Sequence, residues 1–143
     1  MKLRDLAEQD LELVELARDL VKKRKSQISS VAAVLRTKNG RIFRGVNIEI
    51  EASAPCSICA EYAAIGTMVT EGEKAIDTIV AVSTSSVLPP CGQCRQFIRE
   101  FGNPFVIVEV GGALKKAELS DLYPLPVVSD PHADQGHNVN REP

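Results

Sequence analysis

The order of apolar runs along the 143-residue chain predicts an α/β domain of three layers, α/β/α, in which helices cover both faces of one mixed sheet. Three observations carry that expectation. A long stretch with helical spacing opens the chain, a pair of apolar runs flanks Lys38-Asn39-Gly40, and helical and strand-like segments then alternate. The predicted order is helix, strand, strand, helix, strand, helix, strand. No internal repeat or linker divides it, so one domain over residues 1–127 is expected.

Each element has a local reason. Leu3, Leu6, Ala7, Leu11, Val14, Ala17, Leu20 and Val21 recur every three or four residues, as on one amphipathic helix. It runs into Lys22-Lys23-Arg24-Lys25, cations suited to the negative end of a helix dipole. Residues 30–35 and 41–47 read as strands, and Asn39-Gly40 between them signals a hairpin with a type I′ turn, positive in φ at both central residues. Residues 60–69 read as a helix and 78–82 as a short buried strand. A helix over 91–101, closed by Gly102, and a strand over 105–110 follow. Pro124 and Pro126 interrupt what comes next, and the polar, aperiodic stretch from Val128 to Pro143 predicts a disordered tail. His132 and His137 fall in that tail and are expected to be solvated.

Composition narrows the function classes. The chain is 44% hydrophobic and 25% charged with a net charge of −2, which offers no electrostatic footprint for nucleic acid. With two Tyr, four Phe and no Trp it also lacks the rings that stack single-stranded bases. No run approaches the ~18 apolar residues of a membrane span. The opening Met1-Lys2-Leu3-Arg4-Asp5 lacks the apolar core of a signal peptide. Four cysteines without a secretion signal point to a reducing compartment, expected to be the cytoplasm, and to metal or redox chemistry instead of disulfides.

The chemistry is concentrated in two segments, Cys59-Ala60-Glu61 and Pro90-Cys91-Gly92-Gln93-Cys94. Three soft thiolates leave the fourth corner of a tetrahedral zinc ion open, as in catalytic sites. Glu61 is two residues from a ligand and close enough to handle the protons of a water there. Cys59 opens one predicted helix and Cys91 the other, so both positive helix ends favour the thiolates. Pro89 and Pro90 suit the entry to the second helix.

Cys56 opens rival readings. Cys56-Ser57-Ile58-Cys59 is also a Cys-x-x-Cys, so a closed four-cysteine structural site without catalysis competes with the open one. The separation between the two pairs exceeds the ~15–20 residues usual for small zinc ribbons. A thioredoxin-like dithiol would leave Glu61 and one pair without a role. Cys56 is therefore expected to be a bystander. A helix-borne glutamate is ordinarily a solvated surface group, but Glu61 stands among Ala60, Ala63 and Ala64, which suits a buried catalytic carboxylate.

These residues resemble the cytidine deaminase superfamily in its small homo-oligomeric branch, over about residues 30–124. Gly40-Arg41-Ile42-Phe43 with Gly45-Val46-Asn47-Ile48-Glu49 is similar to that family's hairpin and nucleoside-binding segment. The two cysteine segments are similar to its zinc motifs, and Leu122-Tyr123-Pro124 to its C-terminal Leu-Leu-Pro. The resemblance implies a cytidine-deaminase-like fold, zinc held by Cys59, Cys91 and Cys94, and Glu61 as proton shuttle. It further implies a substrate site with Asn47 and Glu49 on the sugar hydroxyls and Ala60 beside them. The implied reaction is hydrolytic deamination of cytidine or deoxycytidine to the uridine product with release of ammonia. Active sites built between subunits, in a tetramer, are implied by the resemblance alone.

Departures from the family pattern open the substrate question. Where the pattern has Tyr-Ser-x-Phe-x-Val, this chain has Ser26-Gln27-Ile28-Ser29-Ser30-Val31, so Ser29 replaces an aromatic ring that packs on the pyrimidine. Tyr62 stands where many members carry an arginine that offsets thiolate charge, and Arg95 is the nearest basic alternative in sequence. Blasticidin-S deaminases, which act on a cytosine nucleoside antibiotic, lack that arginine too, although Glu49 keeps the cytidine-type identity. A blasticidin-like or modified-nucleoside deaminase is thus a second reading, and a non-catalytic zinc module a third.

Overall fold

The computed structural model describes residues 1–128; the predicted tail, with His132 and His137, lies outside the described residues apart from Val128. The chain runs α1 (Glu8–Arg24), β1 (Ala32–Thr37), β2 (Ile42–Val46), a 3-10 turn (Ala54–Cys56), α2 (Ala60–Thr70), β3 (Ile76–Val82), β4 (Val87–Leu88), α3 (Gly92–Arg99), β5 (Phe105–Val110), β6 (Ala113–Glu118) and α4 (Leu119–Leu122). One six-stranded mixed sheet has the order β2-β1-β3-β5-β6, with β4 paired to β3. The β3–β5 pair, which α3 connects, is parallel, and the other pairs are antiparallel.

The side-chain alternation of the central strands builds two cores. On one face Ala33, Leu35, Ile79, Ala81, Val106 and Val108 pack with Ala64, Ile65 and Met68 of α2 and Ile98 of α3. On the other, Ala32, Val34, Val80, Val82 and Ile107 pack with Leu13, Val14, Ala17, Leu20 and Val21 of α1. Strand β1 is buried throughout because helices cover both of its faces. This is the expected three-layer arrangement. No helix among the described residues is long and apolar enough to cross a membrane.

Three local expectations are corrected. Helix α1 begins at Glu8, not Leu3, because the Asp10 carboxylate accepts the Ala7 N–H (2.9 Å) and marks the first turn. The residues before it are extended, and Arg4 exchanges backbone hydrogen bonds of 2.8 and 2.9 Å with Lys116 at the free edge of β6. Leu3 and Leu11 are consequently exposed, whereas Leu13 is buried. The hairpin is not type I′. Gly40 alone carries positive φ (85°), its N–H meets the Thr37 carbonyl at 2.9 Å, and Asn39 keeps negative φ. That is a three-residue loop closed by a left-handed glycine. Finally, Gly92–Arg99 is shorter than the predicted 91–101 helix, and β4, β6, α4 and the 3-10 turn had no strong local signal.

The sheet positions two chain segments for chemistry. Gly45 of β2 faces α2 with no side chain between them: a Cβ built there would lie 2.6 Å from the Ala63 Cβ. The glycine therefore lets the helix backbone settle directly on the sheet. At β3 the edge is divided. Thr78 and Ile79 pair with β5, while Ala81 and Val82 pair with β4, from which the chain passes through Pro89-Pro90 into α3.

Candidate active site

Cys59 is the residue that precedes α2 and Cys91 the one that precedes α3, both in extended conformation. Cys94 lies one turn into α3 and is fully buried. The Cys91 Sγ accepts the Cys94 N–H at 3.5 Å, a capping role that a thiolate fills well at a positive helix end. The Cys59 and Cys91 sulfurs are 4.0 Å apart, and the three Sγ atoms all lie within 4.8 Å of one another. Zinc–sulfur bonds of about 2.3 Å at tetrahedral angles require sulfurs about 3.8 Å apart, so these residues fit a zinc ion. Cys56 is exposed in the 3-10 turn, 3.4 Å from the Ser53 hydroxyl, and does not join the cluster.

Glu61 is in the first turn of α2 and is 6% exposed. Burial pushes its carboxyl above the usual carboxylate range, against a smaller opposing pull from its own backbone N–H. Its surroundings explain the burial: Glu61 lines a narrow crevice together with Ile79, Ala81, Pro90, Ile98 and Val106. Burial likewise pushes up Cys59 and, most strongly, Cys94, with the Glu61 charge adding to both. Cys91 moves the other way, since the hydrogen bonds it receives, led by the Cys94 N–H, outweigh its burial.

Arg95 does not reach the sulfurs. Its Nε donates to the Pro90 carbonyl and a terminal nitrogen to the Leu122 carbonyl, both at 2.8 Å, so it ties the approach to Cys91 to the end of α4. The adjacent Gln96 holds the same stretch of chain: its Oε1 accepts from the Tyr123 hydroxyl (2.8 Å) and the Val127 N–H (2.9 Å). Tyr62 packs edge-on against Phe97 with ring centroids 4.4 Å apart. The sequence marked Arg95 and Tyr62 by charge and position, but gave no sign of these contacts.

The segment carrying the candidate residues Asn47 and Glu49 adjoins the cysteine cluster through one bridge. Ile48 and Ile58 exchange backbone hydrogen bonds of 3.0 Å each, which sets Asn47 and Glu49 beside the chain entering Cys59. Asn47 is buried, and its Oδ1 accepts the N–H groups of Ser30 (2.8 Å) and Val31 (2.9 Å). Its Nδ2 lies 3.5 Å from a Glu49 carboxylate oxygen. Glu49 is exposed on the rim of a recess of about 440 Å³, lined also by Gln27, Ile28, Ile50, Glu51 and Ser57. Ala60, the first residue of α2, is buried, and its N–H belongs to the helix turn that has no intrahelical partner.

Comparison with known proteins decides the family. The family model described as the cytidine and deoxycytidylate deaminase zinc-binding region matches residues 7–110. The chain belongs to that family. Blasticidin-S deaminase of Bacillus cereus is 38% identical over 136 residues, covering 87% of this chain and 96% of that protein. Cytidine deaminase of Halalkalibacterium halodurans is 36% identical over 98 residues, covering 66% of this chain and 74% of that one. The crystal structure of cytidine deaminase from Burkholderia pseudomallei superposes with a TM-score of 0.71 at 28% identity, over 85% of this chain and 100% of that chain. This deaminase is accordingly a zinc-dependent hydrolase acting on carbon–nitrogen bonds.

Proposed function

We propose that the protein deaminates the cytosine ring of cytidine, deoxycytidine or a close analogue, with Cys59, Cys91 and Cys94 as zinc ligands and Glu61 as proton shuttle. The observation that carries this reading is the convergence of three thiols within 4.8 Å beside a buried carboxyl two residues from the first of them. Zinc in such a site supplies Lewis-acid activation of water at neutral pH. Glu61 takes the proton released as the water oxygen bonds to C4 of the ring and delivers it to N3. Glu61 then takes the remaining proton from the new C4 hydroxyl and passes it to the amine, so C4=O forms as the C4–N bond breaks, ammonia leaves and the uridine product remains. Asn47 and Glu49 hold the sugar, with Ala60 beside them. The expected substrate is a free small molecule, and the expected setting is cytoplasmic nucleoside salvage by a homotetramer.

A second reading, deamination of a blasticidin-type nucleoside, is favoured by the long alignment with the Bacillus cereus protein and by Ser29 in place of an aromatic residue. One experiment tests both: ammonia release from cytidine and from blasticidin S by zinc-loaded protein, with Glu61→Gln as control. Turnover of cytidine that the substitution abolishes supports the first reading. Turnover of blasticidin S alone supports the second. An undiminished rate in Glu61→Gln would remove Glu61 from the chemistry.

A further inference from the structure

Ser29, which the sequence marks only as a missing aromatic residue, is buried, and its hydroxyl donates to the Asn47 main-chain carbonyl at 2.8 Å. We propose that Ser29 is a positioning residue for substrate recognition, locking Asn47 so that its Nδ2 and the Glu49 carboxylate together read one free sugar hydroxyl. The inference rests on the reading of Asn47 as a sugar contact.

The lock has four parts. The Asn47 N–H donates to the Val31 carbonyl at 3.1 Å, its carbonyl takes the Ser29 hydroxyl, and its Oδ1 takes the two N–H groups of Ser30 and Val31. The amide orientation is thereby determined, since a flipped side chain would oppose its own N–H₂ to two N–H donors. Ser29 is itself held, with its carbonyl accepting the Ser26 N–H at 2.9 Å and the neighbouring Ile28 carbonyl accepting the Glu49 N–H at 2.8 Å. Among the described residues, what remains free on Asn47 is the Nδ2 donor, engaged only by the 3.5 Å contact to Glu49. A donor beside a carboxylate acceptor suits a group that both accepts and donates, which a hydroxyl does. A phosphate ester at the same position has no proton for Glu49 and is repelled by it. A phenylalanine at position 29 would have no hydroxyl to give, so this lock belongs to the present chain and not to the family pattern.

The test compares Ser29→Ala, Ser29→Thr and Asn47→Asp in zinc-loaded full-length protein, with cytidine and 2′,3′-dideoxycytidine as substrates. Aspartate keeps the acceptor for Ser30 and Val31 and loses the donor. For Ser29→Ala the KM for cytidine is expected to rise about three- to tenfold, the cost of one hydrogen bond, with kcat and zinc content unchanged. The KM for the dideoxy substrate should stay put, and threonine should restore the KM for cytidine. An equal KM rise for both substrates, or a fall in kcat with loss of zinc, would make Ser29 merely structural and overturn the proposal. An unchanged KM in Ser29→Ala alongside a raised one in Asn47→Asp would overturn it while sparing the sugar contact. An unchanged KM in Asn47→Asp would remove the sugar contact itself. A readout that needs no turnover is the Asn47 side-chain amide signal in ¹⁵N NMR. It should shift in Ser29→Ala and return with threonine, and an unmoved signal overturns the lock whatever the substrate.

Discussion

Gly45 and Ala63 approach so closely that a methyl group on Gly45 would sit 2.6 Å from the Ala63 Cβ and meet the α2 backbone as well. Strand β2 and helix α2 have no side chain separating them at this point, and the same helix carries Glu61 in its first turn and follows Cys59. Gly45→Ala is therefore expected to push α2 off the sheet at an overpacking cost of about 1–3 kcal/mol. The thermal midpoint should drop by several degrees, and zinc content should fall with it. A melt indistinguishable from the parent protein would show that the helix shifts freely.

The cysteines should separate by function. Cys59→Ser, Cys91→Ser and Cys94→Ser are each expected to lose bound zinc, measured by elemental analysis of the purified protein. Cys56→Ser should keep its zinc, because that thiol faces Ser53 in the 3-10 turn. Loss of zinc from Cys56→Ser would favour a closed four-cysteine site.

Arg95 clamps Pro90 to Leu122 through two hydrogen bonds. Arg95→Ala is expected to weaken zinc retention about tenfold against a chelator, the low end for residues that orient metal ligands. Arg95→Lys should recover only part of this, because one ammonium lacks the planar fork that reaches both carbonyls. Full recovery with lysine would favour charge over geometry.

A buried ion network joins α1 to the sheet. Asp10 is fully buried and accepts from Arg36 (3.0 Å) and Lys116 (2.7 Å), while Arg36 also bonds Asp77 (2.9 Å). Burial pushes both carboxyls up, but hydrogen bonds outweigh it and hold each below the ordinary value of 3.8: from Lys116, Ala7 and Arg36 for Asp10, and from Thr78 and Arg36 for Asp77. Carboxylates depressed in the folded state stabilise it above that value, and the contribution is lost as pH falls through their folded pKa values. Denaturant unfolding should therefore show stability declining below about pH 4. Asp10→Asn should be weaker by about 3 kcal/mol at pH 7, with Lys116 left without its carboxylate and Arg36 with Asp77 alone, and flatter in acid. An unchanged acid slope in that variant would exclude Asp10 from the transition.

How much could be read beforehand depended on how local the cause was. Residues 105–110 were expected as a strand and form β5 over the same span, because the whole apolar run lies inside one element. Strand β6, Ala-Leu-Lys-Lys-Ala-Glu, has little strand character of its own and is held by β5 on one side and Arg4 on the other. The start of α1 was misplaced because Leu3 and Leu6 continue the helical spacing. What ends the helix is the Asp10 carboxylate on the Ala7 N–H, and what extends the chain before it is the edge of β6. The turn at Gly40 had the right residue and the wrong geometry, since one left-handed glycine closes a longer loop.

The same division runs through the site. Residue types and short spacings, settled within one helix turn, determined by themselves that three soft ligands and a neighbouring carboxyl were available on an α/β chain, while the deaminase reading rested on resemblance to a family. They left two Cys-x-x-Cys pairs, an unexplained Ser29 and an unplaced Arg95. The tertiary structure decided which thiols meet, because Cys59 and Cys91 are 32 residues apart and come within 4.0 Å through two helices packed on one face of the sheet. It also decided that Arg95 clamps and Ser29 locks. Each of those contacts spans many residues of chain, and no local pattern encodes a distance that only packing creates.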